Sequence, residues 1–431
     1  ASQSNESRCV MAVVTTENGT SVDGLFKNRY IGRVEQVLSQ DNEFQKRVPF
    51  DSSNKIGRYY MKAVQLRRPQ GVTFASGSSA NDAFALNGSV ASTILDAYID
   101  ASSIVMQDRI GYTTMARAMS TEQAFAEVFD VTVEGLQMQA RANIELMSLY
   151  GQTDLGTVES ASTVSSKRQV VISKATWAAG IWPQLEGALV DVYADSTLAS
   201  KVTATTYLQV VSVDIANRTI TLDGTDYASV TTNNVIVPYG TGTAGASWAK
   251  GVSKIIQTSG TLFGIDNSAY GNFKGNSYPS VNGVLTLGKI NSAASLAWNR
   301  GTARKLTCFV SAWTWTDMNV DAAALRRYAE STKAGLDLGT TSITYYGPNG
   351  EIEIVPHRFV KAGEAFLLDL SSWSRVGSMD VTYSLPGLPE NFILQLPSNA
   401  GFELRNFSDQ APFCWNPSAQ TYISGIVNNS L

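Results

Sequence analysis

STEQAFAEVFDVTVEGLQMQARANIELMSLYG, residues 120–151, is the longest helical pattern in the chain. Ser120 and Gln123 have the spacing of a capping box, and Glu122 falls beside the positive end of the first turn. Phe125, Val128, Phe129, Thr132, Leu136, Ala140, Ile144 and Met147 then recur at intervals of three or four, one face of a helix. Gly151 stands where a left-handed C-cap is expected. Such a helix is about 45 Å long, more than a small domain is wide. Gly135 and the β-branched Val131–Val133 run mark a place for a bend. Two readings follow. One is an ordinary core helix; the other is a spine that carries sheets and loops along an elongated subunit. The flanking sequence decides between them.

The chain has 431 residues, room for two or three domains or one domain with insertions. Apolar residues make up 44%, enough for a large core, but charged residues only 16%, well below the roughly 25% of a typical soluble chain. So charge-poor an exterior implies cover by other protein. The net charge of −4 is unevenly placed: residues 1–70 hold 11 Lys+Arg against 7 Asp+Glu, the remainder 22 against 30. A basic N-terminal segment on an acidic body suits subunits that reach onto one another. It does not suit a dedicated nucleic-acid reader, which needs a basic patch and a high pI. Cys9, Cys308 and Cys414 are odd in number and far apart, so neither a disulfide framework nor a zinc spacing follows. No segment reads as a signal peptide, and no apolar run nears 18 residues, so no membrane span is expected. Initiator-methionine removal suffices for Ala1 at the start; a maturation cut is the alternative.

Outward from the long helix, residues 1–45 read as an extended arm with a short helix near 30–39. Residues 46–88 read as a long hairpin: Ile56–Arg67, a turn at Pro69-Gln70-Gly71, then Val72–Ala75 and a second short strand. The hairpin shows no clean apolar face, and a two-stranded ribbon is marginal alone, so it must lie on something. Val90–Ile99 has strand character, and Ala101–Ala118 reads as a short helix and loop. Residues 89–162 with the long helix form one domain. From 163 to 245, short β-rich runs at roughly ten-residue spacing, divided by Gly, Asp-Gly and Asn-Asn turns, indicate an inserted antiparallel barrel; extra strands of the main sheet are the alternative. Residues 246–385 read as an α+β lobe, with helices at Asn291–Trp298 and Asp321–Ser331 and a buried strand at Lys305–Val310. Residues 386–431 are strands that return to the sheet beside the long helix.

Catalytic chemistry finds little footing. The one histidine is His357, after a strand, and reads as structural. No G-x-S-x-G elbow, P-loop or strand-borne G-x-G-x-x-G occurs, and no His/Cys/Asp cluster has metal spacing. Glu351 and Glu353 share one strand face. A glycosidase needs two carboxylates at a set separation, but neighbours on an exposed strand read as a solvated face. Arg67-Arg68 and Arg326-Arg327 are too few for nucleic-acid readout. No cofactor and no enzyme activity are expected.

The order of parts resembles the major capsid proteins of tailed bacteriophages, of the Hong Kong 97-type fold. Three stretches carry it: STILDAYIDASSIVMQDR (Ser92–Arg109), read as a strand and the short helix before the spine; the spine helix running into LMSLYG; and NAGFELRNFSDQAPFCWNPSAQTYISGIV (Asn399–Val427), similar to that family's last peripheral strands. VPHRFVKAGEAFLLDLSSW (Val355–Trp373) resembles its axial strand, turn and strand. The resemblance implies an α+β fold with N-terminal arm, extended hairpin loop, spine-helix peripheral domain, axial domain and an inserted β-barrel-like domain. It implies self-assembly into hexamers and pentamers of an icosahedral head around double-stranded DNA, in the cytoplasm of a bacterial host. Portal, scaffolding or decoration proteins would be further partners, with no membrane involved. Arm and hairpin would lie over neighbouring subunits, with Arg8, Lys27, Arg29, Arg33, Arg58, Lys62, Arg67 and Arg68 as contacts. The alternative is a virion-borne or secreted carbohydrate-active or carbohydrate-binding β protein, suggested by the Thr/Tyr/Trp-rich strands.

Overall fold

The computed structural model describes residues 42–51, 55–56, 59–74, 85–117, 128–202, 207–279, 282–300, 305–320, 343–347, 350–383, 393–395, 400–429 and 431. The arm expected over 1–45 therefore lies outside the described residues up to 41, as do the Ser120/Gln123 capping box and the helix expected at Asp321–Ser331.

The long helix runs unbroken over Val128–Tyr150, Gly135 included. One apolar stripe was expected. Instead Ile144–Tyr150 are buried on every side, because the last two turns pass through the interior. The helix does not end on a left-handed Gly151: the left-handed residue is Gln152, with φ of 61°. Glycine is needed at 151 for a different reason. A Cβ there would lie 1.8 Å from the carbonyl oxygen of Ala249. The Gly251 amide donates to the Gly151 carbonyl at 2.9 Å, and two chains so close leave no room for a side chain.

Beside this helix lies a five-stranded sheet. Its centre is Gly401–Cys414, which carries Ser102–Gly111 on one side and Trp373–Thr382 and Ile393–Gln395 on the other. Two expectations change here. The short helix expected within 101–118 is confined to Tyr112–Arg117, and Ser102–Gly111 is a strand: its ten residues pair with Gly401–Gln410 one for one, and partner pairing outweighs a short ambiguous periodicity. Trp373–Thr382, grouped by sequence with the lobe, crosses into this sheet.

The lobe sheet has six strands in the order Asn276–Tyr278, Thr421–Ser424, Glu364–Leu368, Lys305–Val310, Gly350–Pro356, Ile343–Gly347. Thr421–Ser424 was expected beside the long helix; it lies instead inside the lobe, between two of its strands. Helix Leu287–Asn299 packs Ile290, Ala293 and Ala294 on this sheet, its first turn capped by the Thr286 hydroxyl.

Between helix and lobe the chain makes a closed barrel of six antiparallel strands. They are Gly156–Val164, Lys167–Ile172, Leu189–Tyr193, Leu208–Asp214, Thr219–Asp223 and Val235–Pro238. The barrel begins at Gly156, before the expected 163, so the strand next to the helix is part of it. A loop at 174–182 leaves the barrel and docks on the lobe through Gly363 N to Ala175 O and Ala362 N to Trp177 O, both 2.8 Å. Trp177 and Trp182 stack within it, fully buried.

The hairpin differs most from expectation. Tyr59–Arg67 does not pair with the stretch after 72; its partner is Thr93–Asp100, with Gln70 and Val90 bridged farther out. The hairpin thus continues past residue 88. It also has a clean inner face. Tyr60, Leu66, Ala97 and Ile99 are buried, Tyr60 against Phe413. Lys62 hides the pattern in sequence, but its ammonium sits 3.6 Å over the Trp415 ring, a cation–π contact that keeps the stem on an apolar surface.

Candidate functional site

Three parts of the subunit meet at one carboxylate. Glu145, on the buried end of the long helix, is 0% exposed. Its oxygens accept the Phe44 amide at 2.7 Å and the Gln45 amide at 3.1 Å. Those are first-turn amides of the short helix Glu43–Arg47, whose own N-cap, Asn42, makes no side-chain bond to it. Glu145 therefore caps that helix from a distant part of the chain, where free N–H groups and the helix dipole favour an anion. His357 in the lobe turn completes the junction at 2.9 Å through Nε2. Its Nδ1 accepts the Phe359 amide at 3.1 Å, so Nε2 is the nitrogen that carries the proton. His357 is structural, as its context suggested.

The segment after the short helix is clamped as firmly. Arg47 grips Glu353 with two bonds of 3.0 Å, the paired fork geometry that suits guanidinium and carboxylate. Phe44 lies edge-on to Trp373 at 5.8 Å, and Arg375 Nε donates to the Val48 carbonyl at 3.1 Å. Glu353 is thus engaged rather than solvated as expected, and Glu351 faces Lys305 at 3.7 Å. The chain following residue 41 is fixed to long helix, lobe and sheet at once.

The other surface is the outer face of the hairpin. Tyr59, Met61, Ile94 and Tyr98 share it, by register, with Met61 53% and Ile94 57% exposed. Phe74, farther along, is 91% exposed. At the base the hairpin is held rigidly: the Tyr98 amide donates to the Phe263 carbonyl at 3.0 Å, and the Tyr98 ring covers Gly264, where a Cβ would come within 2.1 Å of it. Exposed apolar side chains on an anchored ribbon form a surface for another protein.

The basic residues singled out by sequence do not gather into one site. Arg8, Lys27, Arg29, Arg33 and Arg58 lie outside the described residues. Lys62 turns onto Trp415, and Arg67 reaches the Ala269 carbonyl at 3.4 Å and the Tyr270 ring. Both are spent on aromatic surface of the same chain. Arg68 is exposed. Sequence reasoning missed Glu145; its signal is the lone charge inside the apolar run Ile144–Tyr150. Among the described residues no group of three or more His, Cys, Asp or Glu could hold a metal ion. Among them, too, no helix is long and apolar enough to cross a membrane.

An anchored ribbon and a clamped segment at Glu43–Arg47 thus sit on one mixed α/β body. Residues 227–377 match the family model described as the SU10 major capsid protein. Among solved structures, the chain resembles the cyanophage A-1(L) capsid asymmetric unit with a TM-score of 0.53 at 11% identity, over 95% of this chain and 99% of that one. It resembles the capsid of a native GTA particle with a TM-score of 0.50 at 9% identity, over 96% and 100%. No curated protein sequence matches it. The fold is that of phage capsid proteins. Residues 227–377 are thus similar to a phage major capsid protein family, and the likeness of fold to phage capsid proteins extends over nearly the whole chain. Nothing in these comparisons supports the carbohydrate-active reading.

Proposed function

We propose that this chain is a major capsid protein and assembles into hexamers and pentamers of an icosahedral head through the outer face of its hairpin. In this reading the parts are those of the Hong Kong 97-type architecture: the hairpin is the extended loop, the long helix and five-stranded sheet the peripheral domain, the six-stranded lobe the axial domain, and the barrel an insertion. The observation that carries it is the exposed row Tyr59, Met61, Ile94 and Tyr98 on a ribbon whose base is locked. Burying such side chains against another copy yields about 25 cal/mol per Å². An exposed ion pair contributes roughly 0–1 kcal/mol, so apolar contact outweighs charge, and the expected basic contacts become secondary. Residues 1–41 extend the same logic as an arm laid over a neighbour. Double-stranded DNA is contained rather than read, in keeping with a net charge of −4. Portal, scaffolding or decoration proteins complete the head, assembled in the bacterial cytoplasm.

The test is a double variant, Met61→Asp with Ile94→Asp, in the full chain. Unchanged thermal unfolding with no shells or capsomers by electron microscopy is the expected result. Normal shells from that variant would remove the hairpin face from the assembly mechanism.

A further inference from the structure

The five-stranded sheet ends in an open edge. Ser102–Gly111 pairs on one side with Gly401–Gln410; its other side meets no strand among the described residues. The Tyr112 amide donates to the Ala400 carbonyl at 3.3 Å, which fixes the phase of the ladder: even-numbered residues bond inward and odd-numbered ones face away. The N–H and C=O of Ser103, Val105 and Gln107 therefore point off the sheet. At Arg109 the edge is closed, because the outward amide donates to Asp108 Oδ1 at 2.7 Å. An open edge of this kind is a template for another strand, and proteins blunt it with proline, bulges or charge. Ser103–Gln107 carries no proline and no charge, and its register runs without a bulge. We propose that this edge takes one further strand, residues 10–16 of a neighbouring copy.

Val10–Thr16, VMAVVTT, lies outside the described residues. Five of its seven residues are Val or Thr, with neither charge nor proline, the composition of a strand. The described chain begins near the opposite end of the same sheet, where Phe50–Asp51 pairs with Arg375 and Val376. Each sheet thus has residues 1–41 leading to one end and an unfilled edge at the other. That is a head-to-tail relation, which repeats from copy to copy and closes into a ring. The 25 residues between Thr16 and Asn42 span up to about 85 Å when extended. A compact chain of this length has a radius of gyration of about 22 Å, so the next copy is within reach. Main-chain hydrogen bonds hold an added strand, and its side chains set the register. The inference rests on the assembly reading and names the place where the arm docks.

Hydrogen exchange, read by mass spectrometry, tests this. Peptides from 102–111 should exchange more slowly in assembled wild-type particles than in free subunits. Val105→Pro removes an outward N–H that Gly401–Gln410 does not use, so the subunit should fold and the slowing should be lost. In a Cys9→Ser chain, Val13→Cys with Gln107→Cys and a short bismaleimide should give particles whose chains are joined to one another on a denaturing gel; Cys308 and Cys414 are buried. Wild-type particles whose 102–111 peptides exchange as fast as in free subunits overturn this proposal and leave the hairpin contact standing. A link formed within single chains also overturns it. So does slowed exchange with no link, since another strand then fills the edge. Wild-type chains that never polymerise remove the assembly reading, and this inference with it.

Discussion

Glu145 and His357 lie 212 positions apart in sequence and meet at 2.9 Å, both removed from solvent. The same carboxylate holds the first turn of the helix Glu43–Arg47. One side chain thus ties that helix, the long helix and the lobe together. A buried network of this kind is costly to break, because each freed donor stays buried.

Glu145→Ala should lower stability by about 3 kcal/mol, the range for removing one partner of a buried charged contact. Chemical denaturation measures it. Trypsin cleavage after Lys46 and Arg47 should also become fast, since Glu43–Arg47 loses its cap. Slow cleavage with an unchanged midpoint would show the junction to be incidental.

Gly151 and Gly135 sit on one helix and predict opposite outcomes. At 151 a Cβ strikes the carbonyl oxygens of Ala249 and Met147, so Gly151→Ala should yield little soluble protein. At 135 a Cβ meets nothing within 4 Å. There Gly135→Ala should stabilise by about 0.5–1 kcal/mol, through the entropy a mid-helix glycine loses on folding. Thermal melts of the two variants check the contrast.

Burial pushes the thiols of Cys308 and Cys414 up to about 12. With Cys9 replaced by Ser, the native chain should not react with a thiol reagent at pH 8–9, and should expose two reactive thiols when unfolded. The linkage has a definite sign. The folded thiols stay protonated above pH 8.5, where unfolded cysteine ionises. Their contribution to stability is full below that value and is lost as pH rises toward 12.

Glu403 works in the other direction. The hydrogen bond from Arg405, joined by that from Arg109, holds its carboxyl below the usual range. Its contribution is full above the ordinary value of about 4.3 and is lost as pH falls through the lowered one. Acid unfolding of Glu403→Gln should follow pH less steeply than wild type. Identical acid limbs would show the pair to be inert.

The parts legible in sequence were those with a repeating local pattern. The helix through Ala140 and Ile144 and the short strands of the barrel announce themselves by period and by turn residues. What was not legible depends on distant partners. Ser102–Gly111 is a strand because Gly401–Gln410 lies beside it. Lys62 belongs to an apolar face because Trp415 receives it, and the polar letter hid the hairpin's inner side. Gly151 was noticed for the right residue type and the wrong reason: the constraint is the approach of Gly251, 100 positions on, rather than a local turn. Glu145 could be seen only as an odd charge in an apolar run. What it binds comes from two other parts of the chain.

The strand Thr421–Ser424 lies within the lobe sheet, between Asn276–Tyr278 and Glu364–Leu368. Without it the sheet divides: Asn276–Tyr278 loses the strand it pairs with, while Glu364–Leu368 stays joined to the strands beyond it. The lobe is thus united by a segment remote in sequence from both of its neighbours.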